Sequence, residues 1–224
     1  DEPQIRRFVR GALEREGFRV CEASTAASGL AVAAQAHPAA TVLDLGLPDR
    51  DGLTFIRDLR LWSNTPIVVL SARSGERDKV EALDAGADDY LTKPFSPREL
   101  VLRVQSVLRR SLTEYAPESP LDRGPFHIDP AARLASLHGV PLQVTVREFD
   151  LLAFLLKHPH QAFSREELLS AVWGWVHGDL STVTVHVRRL REKIETDPQH
   201  PQWLRTVWGV GYRFDVEEDA VDLA

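Results

Sequence analysis

Residues 41–52, TVLDLGLPDRDG, constrain what this chain can fold into more than any other stretch. An apolar strand delivers Asp44 to its end, and Pro48, Asp51 and Gly52 then turn the chain away. In an open α/β sheet, ligands bind in the crevice outside the carboxyl ends of the strands. Asp44 is therefore a candidate nucleophile, although an Asp in that place is often only a turn former or a helix cap. Ser71 ends a second apolar strand, residues 67–70, and Lys93 follows a third, residues 90–92, directly before Pro94. Asp1 stands where a preceding strand would end. Two acids, a hydroxyl and an amine thus come from separate strand ends, as an active site on such a sheet requires.

Helical and strand signals alternate from Arg6 to Arg110, the pattern of a doubly wound parallel sheet. Ile5, Val9, Ala12 and Leu13 form the inner face of a first helix ending at Gly17. Strands are expected at 18–23, 40–43, 67–70 and 90–92, and helices near 25–36, 52–61 and 76–85, with a last helix opening at Ser96 and Pro97. Residues 111–124, SLTEYAPESPLDRG, lack apolar periodicity and read as a linker between a first domain, 1–110, and a second, 125–216. In the second domain, short strands at 126–129, 133–137 and 141–144 precede helices at 146–157, 165–173 and 181–195 and a hairpin at 204–214. Residues 217–224 read as a solvated acidic tail.

At 224 residues the chain has room for two domains of about 100 residues, each able to bury a core. No apolar run approaches membrane-spanning length and nothing at the start reads as a signal peptide, so the cytoplasm is the expected location. The single cysteine, Cys21, excludes an intrachain disulfide and is expected to be a buried thiol in the apolar stretch 18–23. A net charge of -6 argues against a generally basic nucleic-acid binder, yet four cations face one acid, Glu192, within residues 181–193. On that helix Val183, Val187, Leu190 and Ile194 make one buried stripe, which leaves Thr184, His186, Arg188, Arg189 and Arg191 largely outside it. His186 has no Cys or His partner at ligand spacing, so zinc is not indicated.

DEPQIRR, LDLGLPDRDG, VVLSAR and GADDYLTKPF together resemble the receiver domain of bacterial two-component response regulators. TVREFDLLAFLLKHP, FSREELLSAVWG, VTVHVRRLREKIE and TVWGVGYRF resemble the winged helix-turn-helix output domain of the OmpR/PhoB family of those regulators. The resemblance implies a flavodoxin-like receiver whose first strand and first acid are missing here, the numbering beginning after the true start. It implies that Asp44 accepts a phosphoryl group from a sensor histidine kinase, and that Mg2+ is held by Asp1, Asp44 and the main-chain carbonyl of Gly46. Lys93, before a cis Pro94, would pair with Asp44 and then with the phosphoryl group. The Ser71 hydroxyl would bind a phosphoryl oxygen and draw Tyr90 inward as the switch. The resemblance implies an aspartyl-phosphate acceptor, with self-dephosphorylation as a further expectation, rather than an enzyme.

Phosphorylation in that family promotes a homodimer, here implying Lys79 with Glu99, and Asp88 and Asp89 with Arg103 and Arg110. The helix at 181–195 matches the recognition helix for double-stranded promoter DNA. Arg189 and Thr184 are the base-edge candidates, Arg188, Arg191 and Lys193 the phosphate contacts, and Thr182 and His186 complete the set. RNA polymerase is a further implied partner. Trp208 stands where relatives often place an Arg that can enter a narrow minor groove, so readout there is expected to be weak. Within the receiver, LDLGLPDRDG, FIRDLRLWS, PIVVLSAR and DKVEALDAGADDYL are similar to regulators of a potassium-transport operon, a likeness that fades in the output domain. A haloacid-dehalogenase-type phosphohydrolase also uses an Asp after an apolar strand, but it needs a second Asp where this chain has Gly46. A DNA-binding regulator that works without phosphate is the other alternative.

Overall fold

The computed structural model describes residues 2–73, 75–109, 119–175 and 179–216. Asp1, Arg110, the linker residues 111–118 and the acidic tail 217–224 lie outside the described residues. The chain divides into two compact units, Asp1–Leu112 and Thr113–Ala224. Among the described residues no helix is long and apolar enough to cross a membrane.

The first unit runs α1 (Pro3–Arg15), α2 (Ala26–Ala36), β1 (Thr41–Asp44), α3 (Gly52–Arg60), β2 (Ile67–Ser71), α4 (Glu76–Ala85), β3 (Asp89–Thr92) and α5 (Pro97–Arg109). Its strands form one parallel sheet in the order β1-β2-β3, with Asp44 opposite Leu70 and Ser71 opposite Thr92. β2 is buried along its whole length, as a central parallel strand covered on both faces must be. Val68, Leu70 and Leu91 pack against Leu13 of α1 and Leu100 and Val104 of α5. Strand alternation sends Ile67 and Val69 to the opposite face, where α3 and α4 pack together.

Local chemistry fixes the turn that follows Asp44. Asp51 caps α3 by accepting the Leu53 N–H at 2.9 Å. Asp49 accepts the N–H groups of Ala26 and Ala27 at 2.8 and 3.0 Å, tying the same turn to the start of α2. Those two N–H groups hold the Asp49 carboxyl below its ordinary value. Gly52 passes so near Leu45 that a β-carbon there would lie 2.7 Å from the Leu45 Cα. Only glycine lets the chain fold back this closely.

The segment 18–23 departs from expectation. It forms no strand, and among the described residues β1 pairs only with β2. An extended segment becomes a strand only where a neighbour takes its N–H and C=O groups. Here a cavity of about 450 Å³, lined by Leu13, Val20, Val32 and Val42 among others, lies beside both segments, and they do not pair with each other. Cys21, expected to be buried, is exposed for the same reason.

The second unit opens with an antiparallel meander of β4 (Leu121–Arg123), β5 (Phe126–Asp129), β6 (Leu134–Leu137) and β7 (Val140–Pro141). β4 falls within the stretch expected to be linker, because Leu121 and Arg123 pair with Ile128 and Phe126. Then follow α6 (Val146–Lys157), β8 (Ala162–Phe163), α7 (Arg165–Leu168), α8 (Ser181–Ile194), β9 (Leu204–Val207) and β10 (Gly211–Phe214). β10 lies between β8 and β9. α7 was expected to continue to residue 173, but Leu169–Trp173 widens into a π-helical turn that stops at Gly174. Thr145 with Glu148, and Ser164 with Glu167, form reciprocal capping boxes at the starts of α6 and α7. Phe126, Leu151, Leu155, Trp173, Val183, Leu190 and Phe214 share one core.

Candidate functional site

In the first unit the ends of all three strands converge. The Lys93 ammonium lies 2.5 Å from Oδ2 of Asp44 and 2.8 Å from Oε1 of Glu2. Side-chain exposures of 12% for Lys93 and 15% for Asp44 leave the pair only a narrow opening to solvent. Burial pushes the Lys93 pKa down, but its bonds to Asp44 and Glu2 and their charges outweigh this, so the amine stays firmly cationic. The Lys93–Pro94 peptide is cis, and the Lys93 N–H donates to the Ser71 carbonyl at 2.8 Å. Oδ1 of Asp44 accepts the Gly46 N–H at 3.1 Å.

Ser71 and Tyr90 are joined through Arg73. The buried Ser71 hydroxyl accepts the Arg73 N–H at 3.1 Å, while the Tyr90 phenol donates to the Arg73 carbonyl at 2.6 Å. Tyr90 is buried, and burial raises its pKa. Glu2 and Arg73 were not among the expected site residues. The acidic pair Asp1-Glu2 was a signal for the first; Arg73 acts through its backbone, which sequence does not reveal.

Of the charges expected at a dimer interface, Asp88, Asp89, Glu99 and Arg103 are engaged within the chain, and Arg110 lies outside the described residues. Asp88 is fully buried, accepting the Ile67 N–H at 2.9 Å and lying 2.8 Å from Arg60. Arg60 also donates to the carbonyls of Gly86, Ser63 and Thr65. Asp89, also buried, lies 3.0 Å from Arg103, which reaches Glu99 at 3.0 Å as well. Asp88 thus fastens β2 to the loop before β3, a structural task that the expectation of an interface role did not include. Lys79 is half-buried on α4.

The second unit redistributes the expected roles on α8. Thr184 and Arg188 are exposed, and Arg188 lies 3.4 Å from Glu192 one turn on. Thr182, His186 and Arg189 are buried instead. His186 bonds the Thr182 carbonyl through Nδ1 at 2.8 Å and sets its ring edge-on to Trp173. Arg189, 8% exposed, lies 2.8 Å from Oε1 of Glu148, an ion contact without hydrogen-bond geometry. Lys193 donates to Oε2 of Glu148 at 2.5 Å and to the Gln143 carbonyl at 2.7 Å. Burial alone would raise the Glu148 carboxyl, yet Arg189, Lys193 and the Thr145 N–H hold it below its ordinary value.

Half-buried Arg191 joins α8 to the hairpin. It donates to the Leu204 carbonyl at 2.8 Å and the Thr206 hydroxyl at 2.9 Å, with its guanidinium over the Tyr212 ring. The hairpin fits against β8 because residue 211 is glycine: a β-carbon there would lie 2.1 Å from the Phe163 carbonyl oxygen. At the tip Trp208 is 91% exposed.

Comparison with known proteins matches both units. Residues 1–105 fit the response regulator receiver domain, and residues 139–214 the C-terminal domain of transcriptional regulatory proteins. The KDP operon transcriptional regulatory protein KdpE of Escherichia coli K12 is 46% identical over 215 residues, which cover 96% of each chain. The transcriptional regulatory protein SrrA of Staphylococcus aureus NCTC 8325 is 40% identical over 227 residues, 98% of this chain and 94% of that one. A solved point mutant of RitR has a TM-score of 0.75 at 25% identity, covering 96% of this chain and 95% of the other. The response regulator DrrB, a Thermotoga maritima OmpR/PhoB homologue, is 31% identical over the same shares with a TM-score of 0.50. With a receiver at one end, a DNA-binding domain at the other and relatives matched across nearly its whole length, the chain belongs to the OmpR/PhoB family of two-component response regulators.

Proposed function

We propose that Asp44 is the phosphoacceptor and that its modification controls DNA binding by the second unit. The observation that carries this reading is the Lys93 ammonium 2.5 Å from an Asp44 carboxylate at a strand end. A carboxylate oxygen of Asp44 attacks phosphorus, the bond to the kinase's phosphohistidine nitrogen breaks, and the imidazole leaves with its electron pair. Lys93 and the Ser71 hydroxyl then meet the phosphoryl oxygens. Ser71 gives up its bond with the Arg73 N–H as it turns, and the Arg73–Tyr90 link passes that change to β3. The acyl phosphate is slowly hydrolysed in place.

The site suits Mg2+, which supplies charge neutralisation at the incoming phosphoryl group. Asp44 has about four lone-pair positions and spends two, on Lys93 and on the Gly46 N–H, leaving two for a hard cation. The Gly46 carbonyl would add a further oxygen donor, and Asp1, which lies outside the described residues, is the other expected one.

Phosphorylation favours a homodimer through α4, β3 and α5, with Lys79, Glu99 and the Asp89–Arg103 pair setting orientation. On the DNA side Thr184 and Arg188 form the outward face of α8, and Arg191 keeps helix and hairpin together. Promoter DNA, a sensor kinase and RNA polymerase are its partners in the cytoplasm. Likeness to KdpE supports a potassium-transport operon as the target.

The test is acetyl phosphate labelling of the native chain and Asp44→Asn. Only the native chain gains an acid-stable, base-labile phosphate, and excess EDTA abolishes it. Equal labelling of both proteins would refute the assignment.

A further inference from the structure

We infer that Glu148 acts as a clasp on the recognition helix, holding Arg189 and Lys193 inward so that DNA meets only part of the positive charge of α8. This rests on the DNA-binding role of the second unit and deepens it. Arg189 and Lys193 are one turn apart on a line facing α6, whereas Arg188 and Glu192 form the neighbouring outward line. Glu148 is fully buried beneath the inward line, 2.8 Å from Arg189 and 2.5 Å from Lys193.

The capping box alone does not account for a carboxylate. That box needs an acceptor for the Thr145 N–H, 2.8 Å from Oε2, and a Gln in this position closes it equally well. A buried charge is costly unless it is paired, and the partners here are two cations of α8. Free to extend, both would seek DNA phosphates without regard to sequence. Glu148 therefore trades nonspecific attraction for selectivity, as a positioning residue that touches no DNA.

Three full-length variants test this, Glu148→Gln, Glu148→Asp and Lys193→Gln. Each is titrated at several salt concentrations with two duplexes. One carries the site that the native chain selects from a random library; the other is poly(dI–dC). Glu148→Gln should steepen the plot of log affinity against log salt by about 1 to 2 units, since each phosphate contact contributes about 0.9. The ratio of selected-site to poly(dI–dC) affinity should fall about tenfold, because the gained contacts are indifferent to sequence. Glu148→Asp keeps the charge and should restore the native slope even where it lowers the melting temperature. A purely structural role predicts lower melting temperatures with the native slope and ratio in every variant, and that result would overturn the clasp. Lys193→Gln serves should the Glu148 variants not fold. Its slope should fall by much less than the 0.9 or so of one phosphate contact, and a full loss would place Lys193 on DNA and overturn the proposal. Failure of the native chain to enrich any sequence would count against the DNA-binding reading itself, and the clasp with it.

Discussion

Replacing Asp88 by alanine removes the carboxylate that ties the start of β2 to Arg60. Asp88 and Ile67 are both fully buried, so the Ile67 N–H, now 2.9 Å from Oδ2, would be left without a partner. Leaving such a donor unsatisfied costs about 1–3 kcal/mol, and breaking a buried ion pair from one side costs about 3–5 kcal/mol. One carboxylate serves both contacts, so the two figures overlap, and Arg60 keeps three backbone carbonyls to soften its loss. A destabilisation of about 3–4 kcal/mol is expected, a large share of the ~5–15 kcal/mol typical of a domain. With a urea m-value of about 2 kcal/mol/M, the unfolding midpoint of the first unit should fall by nearly 2 M. Asp88→Asn, which keeps an acceptor for Ile67, should cost about half as much. Chemical denaturation followed by circular dichroism reads both, with sedimentation of the phosphorylated protein as the companion measurement. An unchanged midpoint together with weakened self-association would refute the reasoning and make Asp88 an interface residue.

Three further outcomes follow from particular contacts. Gly211→Ala should push β10 away from the Phe163 carbonyl and destabilise the second unit by about 1–3 kcal/mol, read as a lower melting temperature. Glu148 has a folded pKa below its unfolded value, so its stabilisation is complete above the ordinary 4.5 and is lost as pH falls through the lower folded value. The acid limb of the stability–pH curve below about pH 4.5 should accordingly be flatter in Glu148→Gln, and an unchanged limb would contradict the pairing. Trp208→Ala should leave the salt slope of DNA binding almost unaltered, since no cation is removed; a loss of a full unit would show otherwise.

Sequence reading succeeded where chemistry is local. The helix expected from residue 146 begins there, and the apolar runs ending at Asp44 and Ser71 placed both side chains at one rim of the sheet. It failed where a role depends on what packs from elsewhere. Arg189 lies outside the apolar stripe of α8, and a helical pattern carries no sign of the carboxylate waiting beneath it on α6. Asp88 and Asp89 were expected at a dimer interface, and the sequence carried no sign that Arg60 and Arg103 of their own chain reach them from separate elements. Glu2 joined the site only because the start of α1 comes close to the end of β3. Cys21 was assigned to a strand on hydrophobicity, yet a strand also needs a neighbour, and among the described residues β1 pairs with β2 alone.

The hairpin tip has an optical consequence. Trp208 is almost bare to solvent, while Trp173 is buried, Trp175 packs partly buried against the same core and Trp203 packs against Phe126. A water-exposed indole emits at long wavelength and is readily quenched by acrylamide, whereas a sheltered one emits further to the blue and is protected. The red, quenchable part of the intrinsic fluorescence therefore comes largely from Trp208, with a share from half-exposed Trp62 of the other unit. Removing Trp62 by substitution with Phe would leave a chain that carries its own reporter at the point of the wing, with no dye attached to disturb the contact being watched.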